Sequence, residues 1–85
     1  MITSEAIKLN RKERAFLLPF EDSIWIARDL DGGLYLYFQE PERMKTHWLT
    51  DWKSFRKLNE KYFKFITWES GKAWSKDELM KLEVI

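Results

Sequence analysis

The sequence predicts a small α+β domain, built mainly from an antiparallel β-sheet of about five strands with at most one or two short helices. Runs of β-branched and aromatic residues recur along the chain, and turn residues separate them. Only two stretches, near residues 1–18 and 51–63, show helical spacing. The 85 residues are enough for a single domain, residues 1–85, with one modest core.

The first 18 residues are open to three interpretations. Ser4 is suited to cap a helix that runs toward Leu18, but the charged Glu13 interrupts the apolar face of that helix. An added strand around Ala6–Leu9 and a partly ordered arm fit the pattern as well. Pro19 ends any helix at this point because it cannot continue the hydrogen-bond ladder.

The strongest local signal is a β-hairpin. Ile24–Arg28 and Leu34–Phe38 are rich in β-branched and aromatic residues, and the intervening DLDGG supplies turn residues, including glycines that accept positive φ. Because side chains alternate across a strand, the even positions form an aliphatic face and the odd positions an aromatic one. We expect the aliphatic face in the core. The aromatic face carries Trp25, Tyr35 and Tyr37.

The second half of the chain predicts further strands. Pro41 breaks the sheet, and a third strand is expected around Thr46–Thr50. Residues 51–58 are ambiguous, because Trp52 and Phe55 follow helical spacing while SFRKL alternates like a strand. Whether this region is helix or strand stays open on pattern alone.

The C-terminal third predicts two more strands. YFKFITWE, residues 62–69, is dense in aromatic and β-branched residues, and the alternating LMKLEVI at residues 79–85 predicts a half-buried last strand. Ser75 and Glu78 have capping-box spacing, with room for about one turn of helix before that strand.

Several of these segments resemble a recurrent kind of small bacterial protein, often found in prophage and mobile-element regions. Its pattern is W-I-A-R-D-x-D-G-x-L-x-L, followed by a proline, a later strand end and F-P-x-V-x-W-E. Trp25 through Pro41 match the first part closely, and Lys64 replaces the usual second proline. The other matching positions are Leu58, Asn59, Phe63, Ile66, Trp68 and Glu69. The resemblance implies a mainly antiparallel β fold with a strand at residues 54–58, and it implies no activity.

Composition argues against most catalytic chemistry. Cysteine is absent, which excludes disulfides, zinc–thiolate sites and a thiol nucleophile. His47 is the single histidine, so a multi-histidine metal site or a histidine-paired nucleophile is excluded within this chain. No glycine-rich phosphate loop is present. We therefore expect a non-enzymatic protein without cofactor or metal.

The spacing of Asp29, Asp31 and Glu40 matches three positions of an EF-hand calcium loop. Gly33 offers no side-chain oxygen at the fifth position, and Leu34 stands where the loop needs glycine. We interpret both aspartates as turn residues. The chain also lacks a signal-like apolar run and a stretch of about 20 apolar residues, so a cytoplasmic location and no membrane association are expected.

Two classes of function remain. The favoured one is a protein-interaction domain, a homodimer or a binder of another protein, that uses the candidate interaction face of Trp25, Tyr35 and Tyr37. Its alternative is that the chain itself covers this face, through residues 1–18 or the region around Trp52.

The other class is single-stranded nucleic-acid binding through aromatic and basic side chains. A net charge of +1 disfavours it, as does Arg28, whose parity places it opposite the aromatics. The basic clusters, RKER at 11–14 and Lys53, Arg56 and Lys57, are expected to be solvated surface charges.

Overall fold

The computed structural model describes residues 7–50 and 55–85, and over these residues the chain forms eight short strands and two helices. The strands are β1 (Lys8–Leu9), β2 (Trp25–Arg28), β3 (Leu34–Tyr37), β4 (Glu42–Arg43), β5 (Trp48–Leu49), β6 (Phe55–Leu58), β7 (Trp74–Ser75) and β8 (Glu83–Val84). The helices are α1 (Arg11–Leu17) and α2 (Lys76–Met80). The predicted α+β class with mainly antiparallel strands is confirmed.

The principal sheet has the strand order β6-β3-β2-β7 and is antiparallel throughout. In its central hairpin Trp25 pairs with Tyr37 and Ala27 with Tyr35, so odd positions face odd positions as the sequence predicts. β4 and β5 form a separate antiparallel pair, and β1 and β8 form a parallel one. The expected third strand at 46–50 corresponds to β5, and the resemblance-based strand at 54–58 to β6.

The aliphatic face of the sheet is the core, as predicted. Both helices supply apolar side chains to it, and nine residues there are fully buried, with no measurable exposure. They are Leu9, Leu17, Ile24, Ile26, Leu34, Leu36, Phe63, Ile66 and Leu79. Burying apolar side chains of this size contributes about 1.5–3 kcal/mol each relative to leaving them exposed, before the loss of conformational entropy.

The hairpin turn is built on its polar residues. The Asp29 amide donates to the Gly33 carbonyl over 2.8 Å, and the Asp31 carboxylate accepts from the Gly33 amide over 2.9 Å. Gly32 adopts a φ of 95°, where a β-carbon would be strained. The aspartates therefore have structural roles in the turn.

The N-terminal segment combines two of the three interpretations. β1 precedes α1, and Asn10 rather than Ser4 caps the helix, with its side chain accepting from the Glu13 amide. Ser4 lies outside the described residues. The helix ends at Leu17, and its C-cap Leu18 lies directly before Pro19, as expected. Glu13 is buried because its carboxylate completes the capping box and also accepts from the Phe63 amide.

The predicted strand at residues 62–69 is wrong. This segment consists of turns, and Phe63 has a φ of 50° that interrupts any extended run. The physical reason lies in Arg28, whose guanidinium donates to backbone carbonyls along the segment, among them those of Tyr62 and Ile66. These bonds replace a sheet ladder as partners for the segment's backbone.

The predicted last strand is shorter than expected. Ser75 and Glu78 form a complete capping box, and α2 takes residues 76–80 with Leu79 fully buried. Only Glu83–Val84 are extended, paired with β1. The alternation of half-buried and exposed residues from 80 to 84 is nevertheless present.

Candidate functional site

The aromatic face is broader than the hairpin alone provides. The register of β6 against β3 places Phe55 opposite Tyr37 and Lys57 opposite Tyr35, so both join the aromatic side. The rings of Tyr35, Tyr37 and Phe55 form a continuous cluster, with centroids 5.8–6.4 Å apart. The alternation in SFRKL predicts that Phe55 and Lys57 share one side of a strand. Which face of the sheet this is follows only from the register of β6 against β3.

Trp48 covers the middle of this face. Its indole Nε1 donates to the Arg28 carbonyl over 3.1 Å, and its amide donates to Asp29 Oδ1 over 2.9 Å. Its carbonyl accepts from the Tyr37 hydroxyl over 3.4 Å. The β4–β5 hairpin is thereby fixed across the sheet, and no local pattern around Trp48 indicates this role.

The chain thus covers part of its own aromatic face. Ala27, Tyr37, Trp48 and Ala73 form a small buried cluster, against which Trp25, Tyr35 and Trp68 pack partly buried. Tyr37 is only 3% exposed. The cover comes from β4–β5 and residues 68–73, whereas residues 7–18 contribute to the aliphatic core. Trp52 lies outside the described residues.

Trp48 lines two surface depressions, and the three residues of the predicted interaction face are divided between them. Tyr35 and Tyr37 line a cavity of about 270 Å³, which we call the aromatic pocket. Trp25 lines a different depression of about 540 Å³, which we call the polar groove. The aromatic pocket is lined by Asp29, Tyr35, Tyr37, His47, Trp48, Leu49, Thr50 and Phe55.

The mouth of the aromatic pocket is apolar and open to solvent. Phe55 is 48% exposed and Leu49 is 50% exposed, although both are large hydrophobic residues. Tyr35 is partly exposed beside them. Apolar side chains that line one opening and stay in water are typical of a binding surface.

Two polar groups deeper in the pocket, those of Asp29 and Tyr37, have raised pKa values. Burial, with repulsion from Asp31 added, raises the pKa of Asp29 above its ordinary value, although the hydrogen bond from Trp48 opposes the shift. Burial and the nearby Asp29 charge likewise raise the pKa of Tyr37, so its phenol stays protonated. The pocket therefore combines the neutral phenol of Tyr37 with the aromatic rings packed around it, a lining suited to an apolar side chain.

Three of the four charged side chains that line the polar groove, those of Arg43, Lys72 and Glu78, already have partners within the chain. Arg43 lies over the Trp68 ring, 3.8 Å from its centroid, and donates to the Trp68 carbonyl over 2.9 Å. Lys72 forms an ion pair with Glu78 at 2.5 Å. This pairing leaves the aromatic pocket as the better candidate site.

The basic residues divide into bound and exposed ones. Arg28 points away from the aromatics, as predicted, and donates to the carbonyls of Gly32, Glu60, Tyr62, Phe63 and Ile66. Arg56 and Lys57 are exposed on β6. Lys53 lies outside the described residues.

The chain matches no protein-family model, no curated protein and no solved structure with which it was compared. The resemblance to small bacterial and prophage-type proteins therefore stays a prediction, as does the cytoplasmic location. Within residues 7–50 and 55–85, no helix is long and apolar enough to cross a membrane. In the same ranges, no group of three histidine, cysteine or acidic residues could hold a metal ion.

Proposed function

We propose that this protein is a non-catalytic protein-interaction domain that binds its partner through the aromatic pocket. The observation that carries the proposal is the exposure of Phe55 and Leu49, 48% and 50%, at the mouth of that pocket. A folded chain of this size gains from burying large apolar side chains, and a partner would remove both from water.

The size of the pocket favours a side chain of a partner over a free ligand. Pockets for small molecules usually span about 300–1,000 Å³. The aromatic pocket measures about 270 Å³ and opens beside an edge strand. One large side chain presented by a neighbouring polypeptide fits this geometry.

A photo-crosslinking experiment tests the proposal. A benzophenone side chain is placed at Phe55, or as a control at Leu18, which is 55% exposed but lies at the end of α1. We expect specific adducts in the host cell from position 55 and none from position 18. Equal adducts from both positions, or none from position 55, would contradict the proposal.

A second copy of the chain is one partner within this proposal. Symmetric dimers are the commonest assemblies, and the pocket mouth could be buried between two copies. Light scattering across a range of concentrations would then show a mass that rises to twice that of the monomer. The adduct from position 55 would also have twice the mass of the chain.

Single-stranded nucleic-acid binding is the second candidate, because Lys57 lies on the aromatic side opposite Tyr35. Stacking on Tyr35 with a phosphate near Lys57 would combine the two contacts that such binding needs. Anisotropy of a labelled oligothymidine at rising salt tests it, since phosphate contacts weaken with salt. This candidate stands second because the Arg28 guanidinium already donates to backbone carbonyls and is not free to bind a phosphate.

A further inference from the structure

We propose that the partner of the aromatic pocket is an acidic, extended polypeptide segment, which adds a strand to β6 and inserts one apolar side chain into the pocket. This inference rests on the proposed function and specifies the chemistry of the partner. It is carried by the position of β6 in the sheet, by the charges on that strand and by the pocket beside it.

Among residues 7–50 and 55–85, β6 is an edge strand. It stands at one end of the order β6-β3-β2-β7 and, among the described residues, pairs only with β3. Three of its four residues are exposed. The backbone groups along such an edge can accept a further strand, which is how many domains bind extended peptides.

The exposed edge and the segment that follows it are basic. Arg56 and Lys57 lie on β6, and Lys61 and Lys64 are exposed just beyond it, with Glu60 the only acidic residue from 55 to 64. None of these four basic side chains forms an ion pair with another residue that the structure describes. An acidic segment would supply the missing opposite charges.

The same charges disfavour a second copy as the added strand. If two β6 strands paired antiparallel about a two-fold axis, residues of the same parity would face each other, so Arg56 would lie opposite Arg56 of the other copy, or Lys57 opposite Lys57. Like charges directly across a strand pair are destabilising. Lysine and arginine on an edge thus prevent self-association, and they select for a strand of opposite charge.

The pocket provides the anchor for such a segment. Phe55 and Lys57 point to the aromatic side of β6, so every second residue of an added strand would face the same side. A residue beside Phe55 would therefore stand next to the pocket mouth. A polypeptide also satisfies the backbone groups of the edge, which a nucleic acid does not.

Three peptides with uncharged, capped termini and a fluorescent label at one end test the inference. The first alternates glutamate with valine around a central phenylalanine; the second has lysine in place of each glutamate. The third is the acidic peptide with alternate amides N-methylated, which removes the donors on one side. Anisotropy at low salt is expected to show the acidic peptide binding at least tenfold tighter than the basic one, and the N-methylated peptide losing that binding.

A charge-reversed pair of variants gives the matched control. R56E/K57E makes the exposed edge of β6 acidic, so this variant is expected to bind the basic peptide more tightly than the acidic one. R11E/K12E makes the same change in charge on the exposed start of α1, and is expected to leave the order unchanged. Circular dichroism confirms that each variant is folded.

The outcomes separate this inference from the proposed function. Equal affinity for the acidic and basic peptides, or undiminished binding of the N-methylated peptide, would overturn the inference, while adducts from position 55 would still support a protein partner. Tighter binding of oligothymidine than of the acidic peptide would overturn it in favour of nucleic acid. Absence of both adducts and peptide binding would remove the proposed function as well.

Discussion

Asp29 follows directly after β2, where its carboxylate accepts from the Trp48 amide at the inner end of the aromatic pocket. Its pKa is raised, chiefly by burial, so ionisation is harder in the folded chain than in the unfolded one. Stability is greatest below the ordinary pKa of 3.8 and is lost as the pH rises through the higher folded value.

Replacing Asp29 by asparagine is therefore expected to stabilise the protein at neutral pH. The D29N side chain keeps an oxygen that can accept from the Trp48 amide, but it carries no charge to desolvate. Thermal unfolding at pH 7 should show a melting temperature a few degrees higher than wild type at most, since solvent screens a half-exposed group. At pH 3 the difference should disappear, and a difference that is equal at both pH values would contradict the assignment.

Glu78 provides a control of opposite sign. The hydrogen bond from Lys72, supported by the Ser75 amide, holds its pKa below the ordinary 4.5. Its contribution to stability is present above that value and is lost as the pH falls through the lower folded pKa. E78Q keeps the capping-box geometry, so it should be less stable than wild type at pH 7 and nearly equal to it in acid.

The elements differ in how far the sequence could predict them. The β2–β3 hairpin is determined locally, because alternation and turn glycines lie within one short stretch, and its register placed Tyr35 and Tyr37 correctly on one face. Phe55 and Trp48 reach the same site only through pairing and docking of distant segments. No local pattern contains that information, so the split of the aromatic face by Trp48 could not be predicted.

Residues 62–69 also show how distant contacts limit prediction from the sequence. Their aromatic and β-branched residues predicted a strand, yet the carbonyls of Tyr62, Phe63 and Ile66 accept from Arg28, which lies more than 30 residues earlier in the chain. Glu13, which looked like a defect in an apolar helix face, accepts from the Phe63 amide in this segment. The hydrogen bonds from the Arg28 guanidinium and the buried bond to the Glu13 carboxylate thus override the strand propensity of this segment.

Arg28 is accordingly expected to decide whether this segment keeps its conformation. R28K retains the charge but loses the planar fork that reaches the carbonyls of Gly32, Tyr62 and Ile66 at 2.7–3.0 Å. Hydrogen bonds from charged groups contribute about 1.5–3 kcal/mol, so the free energy of unfolding in urea should fall by about 3 kcal/mol. R56K, at an exposed site on β6, should change it by less than about 0.5 kcal/mol. Similar losses in both variants would show that Arg28 has no special structural role.

At the scale of the whole molecule, one sheet separates two cores of unequal size. The aliphatic core has nine fully buried residues and receives both helices, and it includes Leu9, whose carbonyl accepts from the Ile85 amide over 2.9 Å. It therefore links both ends of the described chain. The aromatic cluster has four buried residues and is covered by β4–β5, a pair of two-residue strands.

Opening of the β4–β5 hairpin is thus expected to require less free energy than unfolding of the sheet. Native-state hydrogen exchange should show the amides of Leu30 and Met44, bonded to the hairpin carbonyls of Thr46 and His47, exchanging through a local opening. The amides of β2 and β3, which have neighbouring strands on both sides, should exchange only on global unfolding.

The variant L79A, which leaves a cavity in the aliphatic core, tests whether the two cores open separately. It should lower the exchange free energy of the β2 and β3 amides by about 2–5 kcal/mol. The hairpin amides should keep the wild-type value in that variant, because their opening leaves the aliphatic core intact. An equal decrease at both sets of amides would instead mean that the two cores unfold as one unit.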